Sequence, residues 1–269
     1  MKIKLYDIKK KEIGERELPV QFNEELRPDL IKRAVLAIMS NKRQPYGAKP
    51  GAGMRQHGKL SRRRRDFKGS YGIGISRVPR KILSGKGSRW NWVGAVAPGT
   101  VGGRQAHPPK AEKVWAQKIN KKERRKAIRS AISATVLADV VKERGHNIPA
   151  DYPFIIDSEI ESVGKTKDIK EILCSLGLKK ELERVAERKI RSGKGKTRGR
   201  KYIGKKGPLI VVSKDCRLID ASKNIPGIDV VNVKNLNAEL LAPGTKPGRI
   251  TLWTDKAIEI MEKENIFLG

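Results

Sequence analysis

The chain has 269 residues, of which 60 are Lys or Arg and 29 are Asp or Glu, so its formal net charge is +31. A charge of this size opposes compaction by self-repulsion and is tolerated when a polyanion neutralises it, which favours a nucleic-acid-binding protein and disfavours a secreted or metabolic enzyme. Hydrophobic residues form 38% of the chain and aromatic residues 5%, which is enough for one modest core that does not have to include every residue.

The cysteines and the amino terminus indicate the compartment. Cys174 and Cys216 show no CxxC spacing and cannot make a disulfide framework, and we expect both to be small buried hydrophobic residues. Residues 1–11 contain no apolar segment typical of a secretory signal, and no stretch approaches the roughly 18 uncharged apolar residues that a membrane span needs. We therefore predict a cytoplasmic protein with no membrane partner.

Regular elements are predicted on both sides of a long basic segment. Residues 1–7 alternate between polar and apolar side chains, as a strand does, and residues 29–39 have apolar side chains at helical spacing, with Pro28 in the first turn. After the basic segment, Asn120 and Glu123 have the spacing of a capping box, which predicts a helix that begins there and continues through Val136, with Gly145 as its stop. The two ends of the chain thus belong to one folded body.

Short apolar runs alternate with helical patterns in the rest of the chain. The predicted strands lie at 154–156, 209–212, 230–233 and 250–253, and the predicted helices at 169–176, around 182–185, and at 257–261. This alternation is typical of a mostly parallel sheet with helices on both faces. The sequence therefore predicts a three-layer α/β/α body formed by residues 1–41 and 111–269.

The segment 42–110 is inserted between two helices of this body. It has 17 Lys and Arg against the single acid Asp66, and it contains 13 of the 26 glycines and 6 of the 14 prolines. Such a composition cannot repay its ordering entropy by burial, so we expect a long extended loop without regular structure that is disordered on its own. If it runs out and back, its reach is at most about 110 Å.

The residues of this loop favour RNA as the partner. Its cations supply phosphate donors, its glycines let the backbone approach a crowded surface, and Tyr71, Trp90 and Trp92 offer rings on which unpaired bases can stack. The chain shows no zinc-ligand pair or basic zipper of the kind that reads DNA. A solvated tail or a localisation signal explains a single basic run, but it does not explain charge that continues over a segment anchored at both ends.

Two further basic segments lie in the body. Residues 188–206 contain ten Lys and Arg and no acid, which predicts a second basic loop before the strand at 209–212. A third patch covers the first turns of the helix after Asn120, where a solvated helix face is the alternative interpretation. The candidate RNA-binding residues of all three segments are Arg43, Lys49, Arg55, His57, Lys59, Arg62, Arg63, Arg64, Arg65, Lys68, Tyr71, Arg77, Arg80, Lys81, Arg104, His107, Lys110, Lys121, Lys122, Arg124, Arg125, Arg129, Arg191, Lys194, Lys196, Arg198, Arg200 and Lys201.

One segment resembles a nucleotide-binding motif but lacks its first glycine. Residues 163–166 (VGKT) lie between a predicted strand and a predicted helix, but Glu159 occupies the position of the first glycine of a phosphate-binding loop and Glu161 adds a second carboxylate. We interpret Thr166 as the N-cap of the next helix. No catalytic residues, cofactor or metal ligands are predicted; a nucleotide-dependent RNA-processing enzyme and a free RNA chaperone are the alternative functions.

Four motifs in order resemble a known family. They are 102–110 (GGRQAHPPK), 120–131 (NKKERRKAIRSA), 197–202 (TRGRKY) and 242–249 (APGTKPGR). Over essentially its full length the chain resembles the archaeal and eukaryotic type of the large-subunit ribosomal protein L4 family.

The resemblance implies a structural constituent of the large ribosomal subunit whose loop contacts several domains of the large-subunit rRNA and neighbouring ribosomal proteins. It also implies a role in early subunit assembly and a loop tip that forms part of the wall of the nascent-polypeptide exit tunnel, close to the nascent chain. By the same resemblance, the tip residues are Ile82, Leu83, Ser84, Gly85, Lys86, Gly87, Ser88, Arg89 and Trp90.

Overall fold

The computed structural model describes residues 1–66, 69–87 and 89–268. They form two units, which we call the body, residues 1–42 with 116–269, and the insert, residues 43–115. Among the described residues, no helix combines the length and the apolarity that crossing a membrane requires.

The described residues form ten β-strands and eight α-helices. The strands are β1 (Lys2–Tyr6), β2 (Glu12–Glu17), β3 (Arg80–Lys86), β4 (Arg89–Gly94), β5 (Ile155–Ile156), β6 (Lys189–Ile190), β7 (Tyr202–Ile203), β8 (Leu209–Val212), β9 (Asp229–Asn232) and β10 (Thr251–Thr254). The α-helices are α1 (Pro28–Asn41), α2 (Lys121–Val136), α3 (Ala138–Glu143), α4 (Thr166–Ser175), α5 (Lys179–Ala186), α6 (Arg217–Ser222), α7 (Ala238–Leu241) and α8 (Asp255–Lys263).

A six-stranded sheet forms the centre of the body, in the order β2-β1-β5-β10-β8-β9. The neighbours from β1 to β9 are parallel, and only β2 is antiparallel, because it forms a hairpin with β1 at the edge. The predicted mixed α/β fold with a mostly parallel sheet is confirmed. The hairpin partner β2 was not predicted, since its sequence, EIGERE, has one large apolar residue and a mainly exposed surface.

Helices cover both faces of this sheet because successive strand residues point to opposite sides. Leu209 and Val211 pack with α1, α2, α7 and α8, whereas Ile210 and Val212 pack with α4 and α6. All four residues of β8 are buried, which explains why the central strands read as continuous apolar runs. The core therefore has two layers, one on each face of the sheet.

Two local predictions in the body are wrong, and a third is confirmed. Asn120 occupies the N-cap position of α2 but its side chain makes no capping hydrogen bond, and the Glu123 carboxylate instead lies 2.9 Å from Arg33 Nη1 of α1. The helix predicted after Asn120 is α2, which ends at Val136 as predicted. Leu137 is extended, and Gly145, at a φ of 92°, follows the end of the next helix, α3. Thr166 is the first residue of α4 rather than its N-cap, which is Lys165.

The cysteines also differ from expectation. Cys174 is exposed and Cys216 is half-buried. Cys174 follows the buried Leu173 on α4, and its position in the helix turns it away from the sheet. The apolar spacing of α4 is satisfied without it.

The insert contains regular structure where none was predicted. Strands β3 and β4 pair as an antiparallel hairpin, with Ile82 opposite Trp92 and Gly85 opposite Trp90. Cross-strand packing of an aromatic ring stabilises such a pair. At Gly85 a Cβ would lie 2.5 Å from a Trp90 ring carbon, so the ring rests directly on the glycine backbone.

Candidate nucleic-acid interface

Positive charge is concentrated in the insert. Residues 43–115 contain 17 Lys and Arg against two acids, Asp66 and Glu112. Among the described Lys and Arg side chains of the insert, none forms an ion pair with a carboxylate, whereas many cations of the body do, for example Lys42 with Glu239. The insert therefore presents cations that an external anion can neutralise.

A tight turn exposes the four consecutive arginines Arg62–Arg65. The buried Ser61 hydroxyl donates a hydrogen bond to the Asp66 carboxylate, and the Gly69 N–H donates to the Asp66 carbonyl at 3.0 Å. The single acid of the turn thus helps to close the turn, while all four guanidinium groups remain exposed. Lys68, another predicted RNA-binding residue, lies outside the described residues.

The other predicted residues of the insert fall into two groups. Arg77 and Arg80 are tethered, because Arg77 donates to the Tyr71 hydroxyl at 3.2 Å and Arg80 donates to the Ser76 hydroxyl at 3.1 Å. Lys81 is likewise engaged, with its Nζ 3.0 Å from Gln56 Oε1. The exposed members are Arg43, Lys49, Arg55, His57, Lys59, Arg104, His107 and Lys110.

The residues predicted as the loop tip lie in the β3–β4 hairpin. Its apolar side chains Ile82 and Leu83 are 38% and 59% exposed. Lys86 and Arg89, which pair across the turn end of the same hairpin, are also exposed. The predicted tip residue Ser88 lies outside the described residues.

A ring cluster at the base of the insert was missed by the sequence reasoning. The rings of Tyr46 and Trp115 are stacked, with centroids 5.9 Å apart and an interplanar angle of 17°. The Arg43 guanidinium carbon lies 3.6 Å from the centre of the Trp115 ring, and Lys113 Nζ lies 4.2 Å from it. The predicted segment ends at residue 110, so two of these four residues, Lys113 and Trp115, lie outside it.

The second basic segment is a hairpin closed by β6 and β7. Arg191 is half-buried and is held in the hairpin, because its N–H donates to Lys201 O at 2.7 Å and its Nε donates to Arg200 O at 3.0 Å. Gly193 and Gly199 adopt positive φ where the chain turns. The remaining predicted cations are exposed: Lys194, Lys196, Arg198, Arg200 and Lys201.

A buried arginine fixes the end of this segment. Arg249 is fully buried and donates to Gly207 O at 2.7 Å, to Leu240 O at 2.9 Å and to the Asp229 carboxylate at 2.6 Å. Burial lowers the pKa of Arg249, although the charge of Asp229 opposes this shift. Burial also acts to raise the pKa of Asp229, but the charge of Arg249 and its hydrogen bond outweigh that effect and lower it. The Arg249–Asp229 pair therefore holds the backbone at Gly207, two residues before β8 begins.

A second buried carboxylate, that of Glu181, helps to hold the same end of segment 188–206. The Glu181 carboxylate accepts from Arg184 Nη2 at 2.6 Å and lies 2.6 Å from His146 Nδ1, while the same Arg184 nitrogen donates to Lys206 O at 2.8 Å. Burial lowers the pKa of His146, against the charge of Glu181. Burial acts to raise the pKa of Glu181, but its hydrogen bonds from Arg184 and His146 lower it overall. The basic segment thus departs from a rigid part of the body.

The patch on α2 is divided between solvent and the body. Lys121, Lys122 and Arg124 are exposed and Arg125 is half-buried. Arg129 is largely engaged: its Nε lies 2.7 Å from the Glu24 carboxylate and its Nη1 donates to Phe267 O at 2.6 Å. The first turn of α2 therefore offers cations outward, while Arg129 connects α2 to other elements of the body.

A buried carboxylate, that of Glu161, lies just before the apparent nucleotide motif at 163–166. Glu161 accepts hydrogen bonds from the N–H and hydroxyl of Ser213 at 2.8 and 2.6 Å and from the Thr254 hydroxyl at 2.8 Å. Ser213 follows β8 and Thr254 ends β10, so Glu161 joins the carboxyl ends of two neighbouring strands. A phosphate-binding loop needs backbone N–H groups at this place, and a buried carboxylate is unfavourable for phosphate.

The sequence and relatives agree on one family. A family model described as the ribosomal protein L4/L1 family matches residues 16–264. This chain belongs to that family. The large ribosomal subunit protein uL4 of Nanoarchaeum equitans is 53% identical to it over 268 residues, which cover 99% of this chain and 100% of that protein. The uL4 proteins of Archaeoglobus fulgidus and Methanococcoides burtonii are 47% and 48% identical, over 97% and 93% of this chain and 98% and 93% of theirs.

Membership in the L4/L1 family confirms the resemblance drawn from the four motifs. The relatives are structural constituents of ribosomes and not enzymes, which agrees with the prediction that this chain is not an enzyme. The large ribosomal subunit to which they belong is cytoplasmic, as predicted for this chain. The candidate RNA-binding residues and the predicted tip remain predictions.

Proposed function

We propose that this chain is a structural constituent of the large ribosomal subunit that binds large-subunit rRNA through the insert, the second basic segment 188–206 and the first turn of α2. In this role it contacts several rRNA domains and neighbouring ribosomal proteins, and it aids early subunit assembly. The body positions the basic segments, and rRNA phosphates neutralise them.

The observation that carries this proposal is the contrast in ion pairing between the two units. Several cations of the body lie at contact distance from carboxylates, as Arg129 does from Glu24 at 2.7 Å, whereas the described cations of the insert have no carboxylate partner. A folded protein gains nothing from leaving a run such as Arg62–Arg65 unpaired, because the self-repulsion of like charges destabilises it. Phosphates of RNA remove this repulsion and release counterions.

We further propose that the insert is an extended loop between α1 and α2 and that its hairpin reaches the wall of the nascent-polypeptide exit tunnel. The exposed Ile82 and Leu83, in the same hairpin as the exposed Lys86 and Arg89, support this assignment. A hairpin with both apolar and cationic side chains suits contact with a passing polypeptide and with RNA. In this proposal the tip comprises residues 82–90.

A salt titration tests the RNA-binding part of the proposal. The full chain is titrated with a transcript of large-subunit rRNA at several salt concentrations, and the logarithm of the binding constant should fall by about 0.7 per neutralised phosphate for each decade of salt. With several phosphates neutralised, the slope is steep. A near-flat slope would contradict the proposal.

Deletion of residues 45–109 tests the structural role in cells. The Ala48 N–H donates to Pro109 O at 3.0 Å, so the two ends of the deleted segment lie side by side and a short linker can join them. The body has its own core and should still fold, while incorporation into large subunits or their maturation should fail. Normal subunits in such a strain would refute the role of the insert. Co-sedimentation of the full chain with large subunits separates this role from that of a free RNA chaperone.

A further inference from the structure

We propose that the base of the insert contains a binding subsite for one unpaired nucleotide of RNA, with the base stacked on the Tyr46 ring and the phosphate held by Lys110 and Lys113. This inference rests on the RNA binding proposed above and assigns one subsite within it. Tyr46 and Lys113 are not among the residues that the sequence marked for RNA binding.

The Tyr46 ring is a prepared stacking surface. It is 51% exposed, and it is stacked on the half-buried Trp115 ring, which the Arg43 guanidinium covers at 3.6 Å. Stacking between a base and an aromatic side chain tolerates any base, because every base has a π-face. A ring already held by its neighbours loses little freedom when a base is added, so the binding energy is not spent on ordering it.

A pocket of about 660 Å³ lies beside this ring. Its lining includes Tyr46, His107, Lys110 and Lys113, together with one acid, Glu112. The volume falls in the range of small-molecule sites, about 300–1,000 Å³, which is room enough for one nucleotide. The pocket combines a ring, an imidazole and two ammonium groups, which are the groups that recognise a base and its phosphate.

The cations at this pocket are available to an anion. Within the described part of the chain, neither Lys110 nor Lys113 forms an ion pair with a carboxylate, although Glu112 lies between them in sequence. Arg43 adds a third positive charge on the neighbouring Trp115 ring. The local excess of positive charge matches a phosphate.

The walls of the pocket are held by close backbone contacts. A Cβ on Gly47, the residue after Tyr46, would lie 2.8 Å from the backbone nitrogen of Ala111, the residue after Lys110. The two limbs of the insert approach each other at a distance that only glycine permits. Rigid walls favour an unpaired nucleotide over a duplex, whose bases are already stacked on one another.

Photo-crosslinking and affinity measurements on the full chain test the subsite. The probe is a short single-stranded oligouridylate with 4-thiouridine at one position, and the crosslinked peptides are mapped by mass spectrometry. The variants are Tyr46→Leu, which keeps apolar bulk without a ring, and Tyr46→Phe, which keeps the ring. Val114→Ala is the matched control, because Val114 is an exposed apolar residue nearby that does not line the pocket.

We expect a wild-type crosslink to the peptide that contains Tyr46. Tyr46→Leu should abolish that crosslink and weaken binding by about 5- to 100-fold with an unchanged salt slope, since stacking neutralises no phosphate. Tyr46→Phe and Val114→Ala should bind like the wild type, and Lys113→Gln should make the slope shallower by about 0.7.

The outcomes separate this subsite from the proposed function. If Tyr46→Leu binds and crosslinks like the wild type, or if the crosslinks map only to Arg62–Arg65 and to 188–206, the subsite is wrong while RNA binding stands. If Tyr46→Phe loses as much affinity as Tyr46→Leu, the ring has no stacking role and the subsite is also wrong. If the wild-type chain binds the probe without dependence on salt, the proposed function itself fails.

Discussion

Replacing Arg249 by methionine removes a guanidinium that organises the entry to β8. In the native chain Arg249 has no solvent exposure. It donates hydrogen bonds to four carbonyl oxygens, the two shortest being to Gly207 at 2.7 Å and to Leu240 at 2.9 Å, and to the Asp229 carboxylate at 2.6 Å. Methionine fills a similar volume but can donate to none of them. The variant therefore leaves four buried or partly buried carbonyl groups and a partly buried carboxylate without this donor.

The size of the loss follows from these contacts. Removing one partner of a buried ion pair costs about 3–5 kcal/mol, because the other charge stays in a poorly solvated place. Lys206 lies 3.0 Å from the same Asp229 carboxylate and compensates part of its charge, which places the expected loss near the lower end, about 3 kcal/mol. Domains of this kind have about 5–15 kcal/mol of stability in total, so the variant should fold but be much weakened.

Urea unfolding followed by far-UV circular dichroism measures this loss. The matched control is Lys223→Met, which removes an exposed pair with Asp220 and should cost less than about 1 kcal/mol. Combining Arg249→Met with Asp229→Asn should cost less than the sum of the two single changes, because the double variant has no unpaired carboxylate. If Arg249→Met costs no more than the Lys223 control, the reasoning about this buried pair is refuted.

Three further predictions concern other parts of the molecule. Gly85→Val places a Cβ 2.5 Å from the Trp90 ring and should open the β3–β4 hairpin, which amide hydrogen exchange of 80–94 detects; unchanged protection there would contradict the packing described. Burial holds the pKa of His146 below its ordinary 6.5. Below that pH the unfolded chain therefore binds a proton at this position that the folded chain does not bind. The free energy of unfolding should fall as the pH drops below about 6.5, by up to about 1.4 kcal/mol per pH unit. Urea unfolding of His146→Gln should lack this fall, and a variant with the same pH dependence as the wild type would disprove the assignment. Replacing Arg62–Arg65 by glutamine should make the salt slope of RNA binding shallower by at most about 3, and an unchanged slope would show that these arginines neutralise no phosphate.

The predictions from sequence succeed where a pattern repeats over several residues. The run Leu209–Val212 and the helical spacing in 29–39 identify β8 and α1, because a buried strand or a helix face needs many apolar residues in register. Single-residue predictions are weaker, since a side chain such as that of Asn120 or Thr166 can be used in several ways. The hairpin at 80–94 was missed because it depends on one aromatic ring resting on Gly85 across the strands rather than on a repeated pattern.

The candidate nucleic-acid interface was likewise predicted only in part from the sequence. The sequence identifies its cations, but Arg129 is among them although its guanidinium is engaged by Glu24 and by Phe267 O. It also omits Tyr46 and Trp115, which are stacked although 69 positions separate them in the chain. Neither fact follows from composition.

The sequence by itself determined where the charge of this protein lies. Net charge is additive along the chain, so the excess in 42–110 and 188–206 is visible without coordinates. Only the tertiary structure decided which of these charges are already neutralised, because an ion pair requires two groups to meet within a few ångströms and to stay there. That is why Arg249 belongs to the core of the body, while Arg62–Arg65 remain exposed for an external anion.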